Sequence, residues 1–434
     1  MKILVIGQTS MEMYRMEFGN IGNYYILEPL FRNLHKTFPD ATISTTLQLS
    51  DRFCKEENVI RLPLSLYYDL NGGNKEQVER EIEIAKDYQK SGILEETTPY
   101  LKEVSESDLI MDFSGDIWGE NANLLNADRF YIGVCKVYIA HLMGKFTTLF
   151  ASSPGPFDRN DHFDFAKMVF KNFDFVANRE AESKAILSNY GFDTSRVESY
   201  VCPAFQFEGK QPEVELIKKY INRGGRKTVG FILTGFNFLQ GPHNKWPREE
   251  EEYVNFVQLI EYIIREKEAN VVLMSHSNGF KMPPDPFVQI HGSDFKHAKM
   301  LYDILMNKGY KDNIKLVEEI LSPWHTKGLI GQFDVLISGR IHGAVAGFSQ
   351  SIPTIVIDYG HEPIAHKTKG FVNIVGTTNF FVHPSNLSSM IKSVDNCFTG
   401  LENERGRLNE IMPKVKGTVN ISFQDLKNNF TKRH

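Results

Sequence analysis

Residues 335–358 read VLISGRIHGAVAGFSQSIPTIVID. Two apolar runs rich in β-branched residues, VLIS and PTIVID, enclose a segment of small residues, and Arg340 and His342 stand at the junction between the first run and that segment. Short, continuously apolar runs joined by a helix-length connection are the pattern of neighbouring strands in a parallel sheet covered on both faces. Gly343, Ala344, Ala346 and Gly347 let the connecting helix pack closely on its sheet. Arg340 and His342 then fall at the carboxyl end of a strand, where open α/β sheets bind ligands. Amides at the helix start favour an anion, and a guanidinium adds a donor fork for carboxylate or phosphate. An imidazole, with an ordinary pKa of about 6.5, can move a proton at the same place. The same two residues also read as a surface arginine and a capping histidine.

Working outward, similar runs recur. KILVIG, ATISTTL, LIMDFSG, FTTLFASS, FDFVANRE and VESYVCPAF in the first half, and KTVGFILTG, NVVLMSH, IKLVE, DVLISGR and PTIVIDY in the second, alternate with helical patterns. FVNIVG reads as a further strand. This alternation predicts an α/β chain of two Rossmann-like domains facing across a cleft, similar to the architecture called GT-B. The domains are expected at 1–210 and 226–385, with a linker around 206–226. Residues 386–434 are expected to form helices that cross back to the first domain.

The 434 residues carry 49 basic and 54 acidic side chains, a formal charge of −5, which gives no reason to expect nucleic-acid wrapping or a polybasic membrane surface. Cys54, Cys135, Cys202 and Cys397 are scattered, with no paired spacing, and read as free thiols of a reducing cytoplasm. The apolar stretch RFYIGVCKVYIAHLMGKFTTLFASS is interrupted by Lys136, His141 and Lys145 and reads as a buried helix and strand rather than a membrane span.

Other strand ends carry chemistry as well. IDYGHEPIAHKTKGFV places His361, Glu362, His366, Lys367 and Lys369 in a loop that can supply a lysine to an anion, or that is simply solvated; no closed metal-ligand set is evident. FGNIGNYYILEPLF puts Gly19 and Gly22 where backbone can approach a ligand or where a helix packs tightly. In MDFSGDIWGENAN, Asp116 follows a strand and either orients a sugar hydroxyl or closes a turn. In FDFVANREAESKAIL, Arg179 stands at another strand's end, either as an anion ligand or paired locally with Glu180 or Glu182.

Taken in order, GNIGNYYIL, FSGD, SSPGPF, ANREAES, CPAF, SGRIHGAVAGFSQSIPTIVIDY and HKTKGF resemble the polysaccharide pyruvyltransferase family over nearly the whole chain. The resemblance implies an enzyme that uses phosphoenolpyruvate to place a pyruvate ketal on two hydroxyls of a sugar in a surface polysaccharide or its precursor. By that resemblance Arg179, His342 and Lys367 are associated with the donor, with Arg340 as a further donor residue and His342 as general acid/base. Asn23, where the family usually carries Asp, and Asp116 are assigned to the acceptor side. Glu180 stands where Asp is usual, and GHEPIAH lengthens the segment before Lys367. No cofactor and no metal are expected. The acceptor is expected to be lipid-linked or nucleotide-linked, and the enzyme cytoplasmic, with peripheral association at the inner face of the membrane. A glycosyltransferase or sugar-nucleotide epimerase of the same fold is the alternative.

Overall fold

The structure is a computed structural model that describes residues 1–11, 15–71, 74–124, 128–157, 162–221, 225–281, 286–361 and 366–433. The chain divides into two compact units. The first comprises Met1–Met16, Glu28–Pro203 and Gly417–His434, and the second comprises Glu17–Leu27 and Ala204–Lys416.

The first unit is built on seven parallel strands: β1 (Lys2–Ile6), β2 (Thr42–Thr45), β3 (Ile60–Arg61), β4 (Leu109–Asp112), β5 (Phe146–Ser152), β6 (Phe175–Asn178) and β7 (Val197–Ser199). Their spatial order is β3-β2-β1-β4-β5-β6-β7, the doubly wound arrangement in which the direction of winding reverses between β1 and β4. Strands β4 and β5 are buried along their whole length, as expected of a sheet covered on both faces. RFYIGVCKVYIAHL forms the helix Arg129–Leu142 and is followed directly by β5, as the sequence pattern predicts. Trp118, fully buried, gathers Phe130, Phe157, Phe170, Phe173 and Phe192 around it at centroid distances of 5.4–6.3 Å. The last part of the helix Leu401–Arg433 returns to this unit: Phe423 packs on Phe150, Phe430 on Phe38 and Phe146, and Tyr200 donates to Asp425 at 3.0 Å.

The second unit repeats the plan with β8 (Thr228–Ile232), β9 (Asn270–Met274), β12 (Ile314–Leu316), β13 (Val335–Ser338), β14 (Thr354–Ile357) and β15 (Phe381–Val382), all parallel, in the order β12-β9-β8-β13-β14-β15. The reversal here lies between β8 and β13. Strands β10 (Asn278–Lys281) and β11 (Val288–His291) form a separate antiparallel hairpin that the sequence pattern does not reveal. FVNIVG is not a strand. It belongs to the helix His366–Val375, because Phe371, Val372 and Val375 form one buried face while Asn373 is exposed, a helical period that overrides the β-branched composition. The sheet instead ends with the two-residue β15.

Among the described residues no helix is long and apolar enough to cross a membrane.

Candidate functional site

In the second unit the winding reversal brings the carboxyl ends of β8 and β13 side by side. Asn237 ties this junction together: its Oδ1 accepts from the Thr234 amide at 3.0 Å, and its Nδ2 donates to the carbonyls of Gly339, Ile357 and Asp358 at 3.1–3.3 Å. Beyond β13, Ser338 holds the turn, its hydroxyl donating to the Arg340 carbonyl at 2.8 Å and accepting from the Arg340 amide at 3.2 Å. Arg340 occupies the N-cap position of the helix Ile341–Phe348, and His342 lies in that helix's first turn.

Arg340 is held in a bidentate pair. Its Nε donates to Asp294 Oδ2 at 2.9 Å and its Nη2 to Oδ1 at 2.6 Å, while Nη1 takes no part in the pairing. Asp294 is fully buried in the first turn of the helix Ser293–Asn307, and its amide donates to Ser277 Oγ at 3.2 Å. Burial opposes both charges. Each partner nevertheless stabilises the other, so the guanidinium titrates above and the carboxyl below its ordinary value.

His342 is buried against two elements. Its ring meets Phe371 edge-on, with centroids 5.8 Å apart at 88°, and it lies against the backbone of Gly22 in the helix Ile21–Thr37. A methyl group on Gly22 would come to 2.6 Å from His342 Cβ and 2.7 Å from its Nδ1, so only glycine fits. Asn20 starts that helix, with Oδ1 accepting from the Gly22 amide at 3.1 Å and its carbonyl accepting from the Asn23 amide at 2.9 Å; it also bridges to Ser277. Asn23, grouped in the sequence reading with Asp116 on the acceptor side, is half-buried in the second unit, whereas Asp116 belongs to the first. Lys367 and Lys369 lie not in a loop but in the first turn and a half of the helix His366–Val375, Lys367 half-buried and Lys369 exposed. Glu362 lies outside the described residues.

The sequence reading missed two residues at this junction. Asp294 is one: in HGSDFK it looks like an ordinary helix start, and its partner is 46 positions away. His276, two residues past the end of β9, is the other. It is fully buried beside Tyr25, ring centroids 5.4 Å apart, and neither ring nitrogen has a hydrogen-bond partner among the described residues. Burial, reinforced by Arg340, pushes its pKa down to about 3, so it is neutral. Its position at a strand's carboxyl end was the available signal. Lys327 is also buried, in the helix Pro323–Ile330, where its ammonium donates to the Phe207 carbonyl and lies 5.8 Å from the Tyr25 ring centroid. Burial, and then Lys416, lower its pKa to about 7.

In the first unit, β4, β5 and β6 bring together two further predicted residues. The Arg179 side chain is buried, its Nε donating to Ser153 Oγ at 2.9 Å and its Nη2 to Asp116 Oδ1 at 3.1 Å. Asp116 retains 39% of its side-chain exposure, so this ion pair has one solvated end. Glu180, just before the helix Glu182–Asn189, accepts from the Ser183 amide at 3.0 Å and from its hydroxyl. Behind them, Asp112 at the end of β4 accepts from Ser114 Oγ, and Ser114 in turn accepts from the Gln8 amide at 2.8 Å. Burial raises the Asp112 carboxyl to about 7.

Solved structures with this fold include a glycosyltransferase from Rickettsia africae, with a TM-score of 0.60 and 11% identity over 100% of this chain and 98% of that one. Anabaena Alr3699/HepE in complex with UDP gives 0.57 at 10% identity, and the UDP-GlcNAc 2-epimerase from Neisseria meningitidis bound to UDP-GlcNAc gives 0.56 at 12%, each covering 100% of both chains. These likenesses establish the α/β fold of two Rossmann-like, GT-B-like units. No curated protein matches the chain. The family model for polysaccharide pyruvyl transferase matches residues 20–361, a span that includes Asn23, Asp116, Arg179, Arg340 and His342. The chain is therefore a pyruvyltransferase that belongs to the polysaccharide pyruvyl transferase family.

Proposed function

We propose that this pyruvyltransferase takes its pyruvyl group from phosphoenolpyruvate and places it as a ketal across two hydroxyls of a sugar in a cell-surface polysaccharide or its carrier-linked precursor. The observation that carries the reading is the placing of Arg340 and His342 together at the winding reversal of a Rossmann-like unit, inside the stretch matched by the family.

In this reading a proton adds to the methylene carbon of the donor, making the adjacent enol carbon electrophilic. One sugar hydroxyl attacks that carbon and loses its proton. The carbon–oxygen bond to phosphate breaks, the second hydroxyl closes the ketal, and its proton leaves with the phosphate. His342 serves as acid or base for one of these transfers. Arg340, through Nη1, and Lys367 meet the donor's carboxylate and phosphate, with the amides at the start of the helix Ile341–Phe348 in support. Arg179 is proposed as a further donor-binding cation, and Asn23 and Asp116 as acceptor residues. Protonation and displacement at carbon require no cofactor or metal in this scheme. The enzyme is proposed to work in the cytoplasm, at the membrane face where carrier-linked sugars are built.

The test incubates purified protein with phosphoenolpyruvate and nucleotide-linked or lipid-linked sugars containing galactose, glucose or N-acetylmannosamine. Phosphate release together with an acceptor mass gain of one pyruvyl ketal is expected. A second reading, glycosyl transfer or epimerisation, draws on the likeness to structures solved with UDP and UDP-GlcNAc. No phosphate release with any acceptor, together with turnover of a UDP-sugar, would select it.

A further inference from the structure

In the first unit, Ser114 is held between two strand ends. Its hydroxyl gives its one proton to Asp112 at the end of β4, which leaves a lone pair to accept from the Gln8 amide, just past β1, at 2.8 Å. Gln8 is anchored in turn by Arg129, whose Nε and Nη2 donate to its carbonyl at 3.0 and 2.8 Å. The next residues, Gly115–Ile117, form a short 3₁₀ turn that carries Asp116. Gly115 has a φ of +62°, which glycine adopts without strain, and an added Cβ there would lie 3.7 Å from Arg179 Nη1. On the other side, the Ser153 amide donates to the Gly115 carbonyl at 2.8 Å, while Ser153 Oγ accepts from Arg179 Nε at 2.9 Å. The 3.1 Å bond from Arg179 Nη2 to Asp116 Oδ1 therefore depends on where two serines hold one turn. Without Asp112, the Ser114 hydroxyl must turn to another acceptor and loosen its hold on Gln8.

We propose that Asp112 is a positioning residue for the Arg179–Asp116 pair: through Ser114 it fixes the turn that presents Asp116 to Arg179, and so sets the guanidinium that meets an anionic donor. The last step rests on the pyruvyl-transfer reading above, in which Arg179 binds phosphoenolpyruvate; the positioning itself does not. Ionisation of Asp112 should weaken that anion, because it places a buried negative charge beneath the pair. Burial raises the Asp112 carboxyl to about 7. Tyr67 and Tyr100 face it, and Arg129 and Cys135 face Tyr67. Burial holds both tyrosines well above their ordinary value and Cys135 at about 12, and arginine keeps its proton, so of these groups Asp112 alone changes charge between pH 6 and pH 9.

The experiment titrates the full-length protein calorimetrically with phosphoenolpyruvate at pH 6 and pH 8.5, and adds a crystal structure of Ser114→Ala. Asp112→Ala and Ser114→Ala should each weaken phosphoenolpyruvate roughly tenfold at pH 6, the scale of one mis-set hydrogen bond to a charged group. The double variant should lose no more than either alone, because both changes cut one link. Asp112→Asn, which keeps an acceptor for Ser114, should match the parent protein at pH 6 and bind severalfold more tightly than the parent at pH 8.5. Additive losses, or equal affinities of Asp112→Asn and the parent at pH 8.5, would overturn the proposal. Ser114→Ala removes a single oxygen, so the test stands even where Asp112→Ala fails to fold. In its crystal structure Asp116 Oδ1 should lie beyond hydrogen-bond reach of Arg179 Nη2; an unchanged 3.1 Å contact would overturn the positioning whatever the ligand does. Displacement of the pair in Ser114→Ala, with no phosphoenolpyruvate bound by the parent, upholds the positioning and removes the donor role of Arg179.

Discussion

The Cα of Gly22 is packed so tightly on His342 that an added methyl group would meet the histidine's Cβ at 2.6 Å. Gly22 of GNIGNYYIL and His342 of SGRIHGAVAGFSQ, 320 positions apart, are thus two sides of one contact. Gly22→Ala must displace either the helix Ile21–Thr37 or the imidazole. Because a positioned acid or base contributes on the order of 100-fold or more, phosphate release from phosphoenolpyruvate should fall by about that factor in Gly22→Ala and in His342→Ala alike. Full activity in Gly22→Ala would show that the position of the His342 ring does not matter to the reaction.

The Arg340–Asp294 pair predicts a stability change of different origin. Removing one partner of a buried pair strands the other charge, at about 3–5 kcal/mol. Asp294→Ala should therefore lower the urea midpoint strongly, whereas Asp294→Ala combined with Arg340→Met should recover much of the loss. The Arg340 side chain keeps 15% of its exposure, which places the expected value toward the lower end. Equal destabilisation in the single and double variants would remove charge stranding as the cause.

Asp112 should impose a pH dependence on the first unit. Its folded value of about 7 lies above the ordinary carboxyl value of 3.8, so the folded state keeps a proton that the unfolded state has released. The resulting stability is fully present below about 3.8 and is lost as the pH rises to about 7, at up to about 1.4 kcal/mol per pH unit. Asp112→Asn cannot titrate and keeps an acceptor for Ser114. Its melting temperature relative to the parent protein should rise between pH 4 and pH 7 and then level off; a constant difference would show that Asp112 titrates normally.

Lys327 acts in the opposite sense. Its folded pKa of about 7 lies below the ordinary 10.5, so between these values the unfolded state binds the extra proton and stability climbs with pH. Lys327→Met should therefore stabilise the protein most at or below pH 7, with the gain shrinking toward pH 10. A gain independent of pH would place the lysine's charge outside the buried environment.

Much of the architecture was legible because it rests on local pattern. Short continuous apolar runs such as ILVI, LIMD and VLIS, set between helix-length segments, read as buried strands, and each is found as one. FVNIVG misled because six residues carry both a β-rich composition and a helical period, and only the burial of Phe371, Val372 and Val375 on one helix face chose between them. The two-stranded β10–β11 hairpin escaped notice because its strands are only four residues long and partly exposed.

The site divides along the same line. Chain order alone placed Arg179, Arg340 and His342 at carboxyl ends of parallel strands, since a strand followed by a helix leaves its turn at that edge whatever the rest of the molecule does. The partners of those side chains came from elsewhere: Asp294 is 46 positions from Arg340 and Asp116 is 63 from Arg179, each on a different strand's connection. His276 becomes neutral, and Gly22 obligatory, only through what the fold packs against them. Periodicity is a property of neighbours along the chain, so it can announce a strand and its end; burial, charge pairing and close approach are properties of neighbours in space, and those existed only once both sheets had formed.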